Sequence, residues 1–147
     1  VRIPQLVGIK SAPASGNIKA HRRIAAQLQG VWSAWQARGL LAQIATFDGL
    51  WVPRFKRNSA RSGLEDLSNH SWGTAFDINA SANWLSNLPA FPGENGCLFA
   101  HVAIAQAYGF GWGGHYRSRL DGMHFEAVRI LSDAEVTALN AEYLGVE

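Results

Sequence analysis

Ser68-Asn69-His70-Ser71-Trp72-Gly73-Thr74-Ala75-Phe76-Asp77-Ile78-Asn79 is the stretch on which the reading of this chain turns. Asp77 lies between Phe76 and Ile78 in a segment with the character of a buried strand, Gly73 to Asn79. Two-residue alternation puts Ala75 and Asp77 on one face and Phe76 on the other. Carboxylates are rarely buried alone, so Asp77 calls for a cation, a donor cluster or a metal. His70 suits the part of co-ligand, because imidazole and carboxylate both bind zinc. Taken alone, the pair also reads as a loop histidine and a turn-capping aspartate.

The second informative stretch is Trp112-Gly113-Gly114-His115-Tyr116-Arg117-Ser118-Arg119-Leu120-Asp121-Gly122-Met123-His124-Phe125-Glu126. His124 opens another short apolar strand, predicted over Met123 to Ile130, and Asp121 stands just ahead of it. Three protein ligands leave one zinc position open for water, and a free carboxylate can take that water's proton. The helical H-E-x-x-H signature is absent, so the ligands would come from strands and loops.

S-x-H-x-x-G-x-A-x-D followed by D-x-x-H-F resembles the zinc peptidases of the D-alanyl-D-alanine carboxypeptidase and L-alanyl-D-glutamate endopeptidase family. That family includes phage endolysins, bacterial cell-wall endopeptidases and vancomycin-resistance D,D-peptidases. Ser68, His70, Gly73, Ala75, Asp77, Asp121, His124 and Phe125 fill every motif position, and the likeness extends over about residues 20–128.

Composition bounds the class. The 147 residues suit one domain, 48% hydrophobic and 16% charged, which is a folded chain and not a disordered tail. The domain is read as residues 17–147, preceded by an extended arm over 1–16 that carries Pro4, Pro13 and Gly16. No apolar run reaches transmembrane length. Val1-Arg2-Ile3-Pro4 does not begin a signal peptide, and the residues do not distinguish a processed form from a piece of something longer. Cys97 is the only cysteine, so no intrachain disulfide forms. Arg54, Lys56, Arg57 and Arg61 give a basic patch within a net charge of +2. With no nucleic-acid motif beside it, the patch reads as a solvated loop or a site for a carboxylate-rich substrate.

Along the chain, Ile18, Ile24, Leu28, Val31, Trp32, Trp35 and Leu40 predict a long amphipathic helix from about Asn17 to Gly39. Leu41–Phe47 and Leu50–Val52 read as two strands joined at the turn signal Asp48-Gly49. A surface loop covers 58–67. Residues 79–95 form a long connection with Trp84 and Phe91 as anchors, a candidate wall of a groove. Leu98–Tyr108 is a second helix, with His101 a core histidine, and Phe110–Trp112 a short strand. Ser132-Asp133-Ala134-Glu135 is a capping box opening a terminal helix. The elements make an α+β fold.

The resemblance implies more. The fold would be hedgehog/D,D-peptidase-like, a small antiparallel sheet carrying the zinc site and flanked by helices. His70, Asp77 and His124 would hold one Zn²⁺. Asp121 would be the general base, with Glu126 its competitor, and Arg54, with Arg57 as competitor, would contact the peptide carbonyl or carboxylate near zinc. Ser68, His115 and Tyr116 are candidate substrate contacts. The substrate would be a peptidoglycan stem peptide, met by a monomer at the bacterial cell wall, periplasmic or extracellular. Asp at the base position and Gly-Trp-Gly-Gly ahead of it resemble the endopeptidase branch. A D,D-carboxypeptidase and a non-catalytic zinc-binding module are the alternatives.

Overall fold

Helix α1, Ala25–Ala37, lays its apolar stripe across the inner face of a four-stranded sheet. The computed structural model describes residues 1–57 and 59–145. The strands are β1 (Phe47–Gly49), β2 (Ala75–Ile78), β3 (Phe110–Trp112) and β4 (His124–Ala127), antiparallel throughout in the order β1-β2-β4-β3. Helix α2, Phe99–Ala107, packs beside β3, and α3, Asp133–Leu144, packs on α1. The fold is therefore α+β, and no helix among the described residues is long and apolar enough to cross a membrane.

The core explains the register. Phe76 pairs with Phe125 across β2 and β4, and their rings stack 5.5 Å apart. Trp32 and Trp35 of α1 meet Phe76 at 6.0 and 6.1 Å between centroids, and Trp35 meets Phe125 at 5.8 Å. With these rings on the inner face, the pleat sends Ala75, Asp77, His124 and Glu126 to the outer one. Burying the aromatic pairs thus aims the polar set away from the core. His101, fully buried on α2, sits edge-on to Trp35 and donates from Nε2 to the Leu40 carbonyl. The capping box forms as read, with Ser132 and Glu135 exchanging bonds at the start of α3.

Several element bounds differ from the sequence reading. The long first helix begins at Ala25, after a 3₁₀ turn over Arg22–Ile24, because Ile18 is paired with Val1 in both directions. The arm over 1–16 folds back on the body, with a 3₁₀ turn at Pro4–Leu6 and both Ile3 and Leu6 fully buried. Leu41–Gln43 is another 3₁₀ turn. Asn79 then bonds Ala45, Thr46 and Gln43 through its side chain, taking the place of a strand partner. Asp48-Gly49 lies inside β1 at an irregular register and does not turn a hairpin. Leu50–Val52 stays outside the sheet, its polar groups drawn to His70. β4 ends at Ala127, where Val128 and Arg129 both donate to the Gly109 carbonyl. Trp84 and Phe91 are about half exposed and anchor nothing in the core. Asn83 organises that connection instead, bonding Asn79, Gly96 and Ala90.

Candidate metal centre and its cleft

His70 is delivered by a 3₁₀ turn, Asn69–Trp72, with built-in ends. Ser68 caps it, its Oγ accepting from the His70 amide at 3.3 Å. Gly73 closes it at φ +67°, a left-handed conformation costly for any residue with a Cβ. A Cβ there would also lie 2.9 Å from the His21 backbone nitrogen. The turn packs that closely against residues 20–21, which is a physical reason for glycine at this motif position.

His70 Nδ1 donates to the Leu50 carbonyl at 2.8 Å. A carbonyl only accepts, so Nδ1 carries the proton and Nε2 presents a lone pair. Nε2 lies 3.2 Å from Asp77 Oδ1 and 3.2 Å from His124 Nδ1, while Asp77 Oδ1 and His124 Nδ1 are 3.1 Å apart. The three residues are buried, and Asp77 faces His124 directly across the β2–β4 ladder.

Three acceptor-type atoms converging on one point repel unless a proton or cation lies among them. Four ligands at about 2.0–2.1 Å from zinc in a tetrahedron stand roughly 3.3 Å apart along each edge. The separations here match that figure, and two imidazoles with one carboxylate are an ordinary zinc donor set. The residues therefore fit the ion. Burial alone would raise the Asp77 pKa, but whenever the imidazoles of His124 and His70 carry the additional proton, their bonds and charges hold it well below the usual carboxylate range. For His124, burial is outweighed by Asp77, Asp121 and Glu126, which raise it. The pocket is electrically prepared for positive charge.

Asp121 stands at the edge of this cluster in the same cleft. Its Oδ1 is buried without a hydrogen-bond partner among the described residues. Burial raises its pKa, and the Asp77 charge adds to that, against His124, His70 and Arg57. Its backbone is tied on both sides, its amide to the Gly113 carbonyl at 2.9 Å and its carbonyl to the His124 amide at 3.0 Å. A Cβ on Gly113 would fall 2.2 Å from the Asp121 carbonyl oxygen. Glycine there lets the Asp121 backbone approach.

Glu126 is differently placed. Asn69 Nδ2 and the Tyr116 hydroxyl donate to its two carboxylate oxygens, and Oε1 lies 3.9 Å from His124 Nε2. That separation is too long for a hydrogen bond, and with both oxygens already accepting from Asn69 and Tyr116, Glu126 has little free capacity to take a proton. Tyr116 is at the cleft surface with its pKa raised by burial and by Glu126. Arg54 lines the cleft half-buried, its backbone locked by Ser71 Oγ in two 2.9 Å bonds. Arg57 lines it too, with its guanidinium over Trp84.

Ser68 borders the cleft, but its hydroxyl is engaged as the cap of the His70 turn. His115 stands apart. Its ring is edge-on to Trp112 at 5.1 Å and lines a separate apolar groove with Phe91 and Phe99. The Gly113-Gly114 turn winds as a 3₁₀ segment and carries His115 away from the metal cluster. Asn69 and Ser71 are contributors that motif reading passed over. Their positions between Ser68 and Gly73 were the available signal, since polar residues in a short turn bond nearby groups.

Residues 62–127 match a family model described as D-alanyl-D-alanine carboxypeptidase. No curated protein and no solved structure matches the chain. The matched segment contains the three clustered residues and Asp121, and leaves Arg54 outside it.

Proposed function

We propose that this chain, whose residues 62–127 match the family model described as D-alanyl-D-alanine carboxypeptidase, is a zinc peptidase that cleaves peptidoglycan stem peptides as an L-alanyl-D-glutamate-type endopeptidase. The observation that carries the reading is the tetrahedral-edge spacing of His70 Nε2, Asp77 Oδ1 and His124 Nδ1 beside the orphaned Asp121 Oδ1. The three would hold Zn²⁺, and Asp121 would work as the base. Its place of action would be the bacterial cell wall, periplasmic or extracellular.

When bound, zinc supplies Lewis acidity, polarising a peptide carbonyl and making water nucleophilic near neutral pH. The chain does the rest. Asp121 Oδ1, with no competing donor among the described residues, accepts a proton from the attacking water and returns it to the departing amine. The Arg54 guanidinium, fixed at its backbone by Ser71, stabilises the negative charge that develops on the carbonyl oxygen. Tyr116 spends its proton on Glu126 and keeps a lone pair for a substrate N–H. His70 is locked in one tautomer by Leu50, so its ligating nitrogen needs no rearrangement.

An aspartate at position 121 and the Gly111–Gly114 stretch favour the endopeptidase reading through their resemblance to that branch. The description of the matching family favours a D,D-carboxypeptidase instead. Digesting purified sacculi with zinc-loaded protein and weighing the muropeptides decides between them. Scission after L-Ala is expected, and loss of terminal D-Ala alone would replace this reading with the second. No product with zinc bound stoichiometrically would leave a non-catalytic zinc module. Alanine at His70, Asp77 or His124 should remove most of the metal, and full occupancy in all three variants would refute the ligand set.

A further inference from the structure

Glu126 sits on β4 opposite Ala75 of β2 and Gly111 of β3, so its backbone is held from both sides of the sheet. Its carboxylate stands on the outer face and receives donors from two other segments. The Asn69 side-chain amide comes from the turn that presents His70, and the Tyr116 hydroxyl from the loop before β4. Asn69 is secured in turn at its own carbonyl, which accepts from the Thr74 hydroxyl at 3.1 Å.

Tyr116 has the least support of the three. Residues 115–118 are exposed, and its amide reaches back to the Gly113 carbonyl at 3.2 Å. Yet its ring borders the cleft, 6.3 Å from the His124 ring between centroids. The hydroxyl bond to Glu126 is what links Tyr116 to the sheet. A glutamate gripped through one oxygen alone can still swing among rotamers and take its partner with it. Asn69 takes the second oxygen and fixes the plane of the carboxylate. A hydroxyl that donates to a fixed acceptor has its lone pairs fixed as well. The arrangement asks Glu126 to accept twice, and asks nothing of it as a base.

We propose that Asn69 and Glu126 are positioning residues for Tyr116. Together they hold its ring at the cleft with the hydroxyl proton turned to Glu126, so that an incoming peptide N–H meets a lone pair already in place. This rests on the peptidase reading above and adds the device that aims its substrate contact. The device has a signature that can be swapped. Asn69→Asp alone sets two carboxylates against each other and breaks it. Glu126→Gln alone is tolerated, because the Asn69 amide can turn over and offer its oxygen. Asn69→Asp with Glu126→Gln exchanges donor and acceptor, keeps the net charge, and leaves an oxygen for Tyr116.

The test begins with fluorine NMR on zinc-loaded protein carrying fluorotyrosine. The chain has three tyrosines, and the line missing from Tyr116→Phe identifies the one in question. Asn69→Asp should move that line toward the position of free tyrosine, and the swapped pair should bring it most of the way back. A line that stays put in Asn69→Asp, or fails to return in the swapped pair, overturns the proposal. Peptide hydrolysis is then measured with zinc content recorded for every variant. Asn69→Asp should keep zinc near stoichiometric and lower kcat/KM about tenfold, the scale of one hydrogen bond. The swapped pair should recover most of that loss. In a Tyr116→Phe background Asn69→Asp should cost nothing further, since both changes remove one interaction. Losses that multiply in that background, or zinc lost with Asn69→Asp, overturn the proposal, because Asn69 would then act on the fold or on His70. If the unmutated chain cuts no peptide, the peptidase reading falls, while the fluorine lines still decide whether the pair holds the ring.

Discussion

Gly73 gives the sharpest quantitative test of how the site is built, and Gly39 supplies its control. Both have left-handed backbones, φ +67° and +71°. A Cβ at Gly39 would meet nothing within 4 Å, whereas at Gly73 it would lie 2.9 Å from the His21 backbone nitrogen and 3.3 Å from Ala20. Alanine at either position incurs the left-handed penalty of roughly 1–2 kcal/mol. At Gly73 the clash is with backbone that cannot swing aside, which adds about 1–3 kcal/mol. At about 3 °C per kcal/mol for a chain of this size, Gly39→Ala should melt roughly 3–6 °C low and Gly73→Ala roughly 6–15 °C low. Thermal unfolding followed by circular dichroism in excess chelator measures this difference. Repeating it with zinc should widen the gap, because Gly73 closes the turn that presents His70. If the two variants melt within about 1 °C of each other, the turn is not pressed against residues 20–21 as described.

Asp121→Asn should keep zinc near stoichiometric while turnover falls about 10²–10⁴-fold, and Glu126→Gln should be milder; the reverse order in single-turnover kinetics would make Glu126 the base. Arg54→Ala should leave fold and metal intact and lower kcat/KM by about 10² or more; if Arg57→Ala does this in its place, the two arginines exchange roles. Burial lowers the pKa of His101 from 6.5, against its bonds to Leu40 and Leu98. Between the folded value and 6.5 the unfolded chain binds the extra proton, so stability present above pH 6.5 falls as pH drops toward the folded value, by up to about 1.4 kcal/mol per pH unit. His101→Gln should flatten that part of the denaturation-versus-pH curve, and an unchanged slope would refute the assignment.

The cluster was legible because burial makes unusual demands on polar residues. Asp77 between Phe76 and Ile78 had to find positive charge, and the two-residue pleat told which neighbours share its face. The capping box at Ser132 was equally plain, since its partners are three residues apart and need no tertiary information. Leu41–Phe47 was misread for the opposite reason. Its apolar run has strand character, yet the partner that satisfies its amides is the side chain of Asn79, more than thirty residues away. His115 was misplaced because the Gly113-Gly114 turn fixes a reversal but not the side on which the next ring emerges. The engagement of Glu126 depends on Asn69 and Tyr116 meeting it from two other segments, which no local pattern encodes.

The pairing of Asp77 opposite His124, with Phe76 stacked on Phe125 one step along, makes assembly of the sheet self-checking. A slip of one residue between β2 and β4 would drive a carboxylate or an imidazole among Trp32 and Trp35. A slip of two restores the faces but separates Asp77 from His124 by about 7 Å, at some 3.4 Å per residue, and strands His70 without its third partner. Only one alignment satisfies both the oily face and the ligand face. A metal ion in the folding medium would therefore act as a proofreader, retaining chains that have found that alignment and drawing the others back toward it.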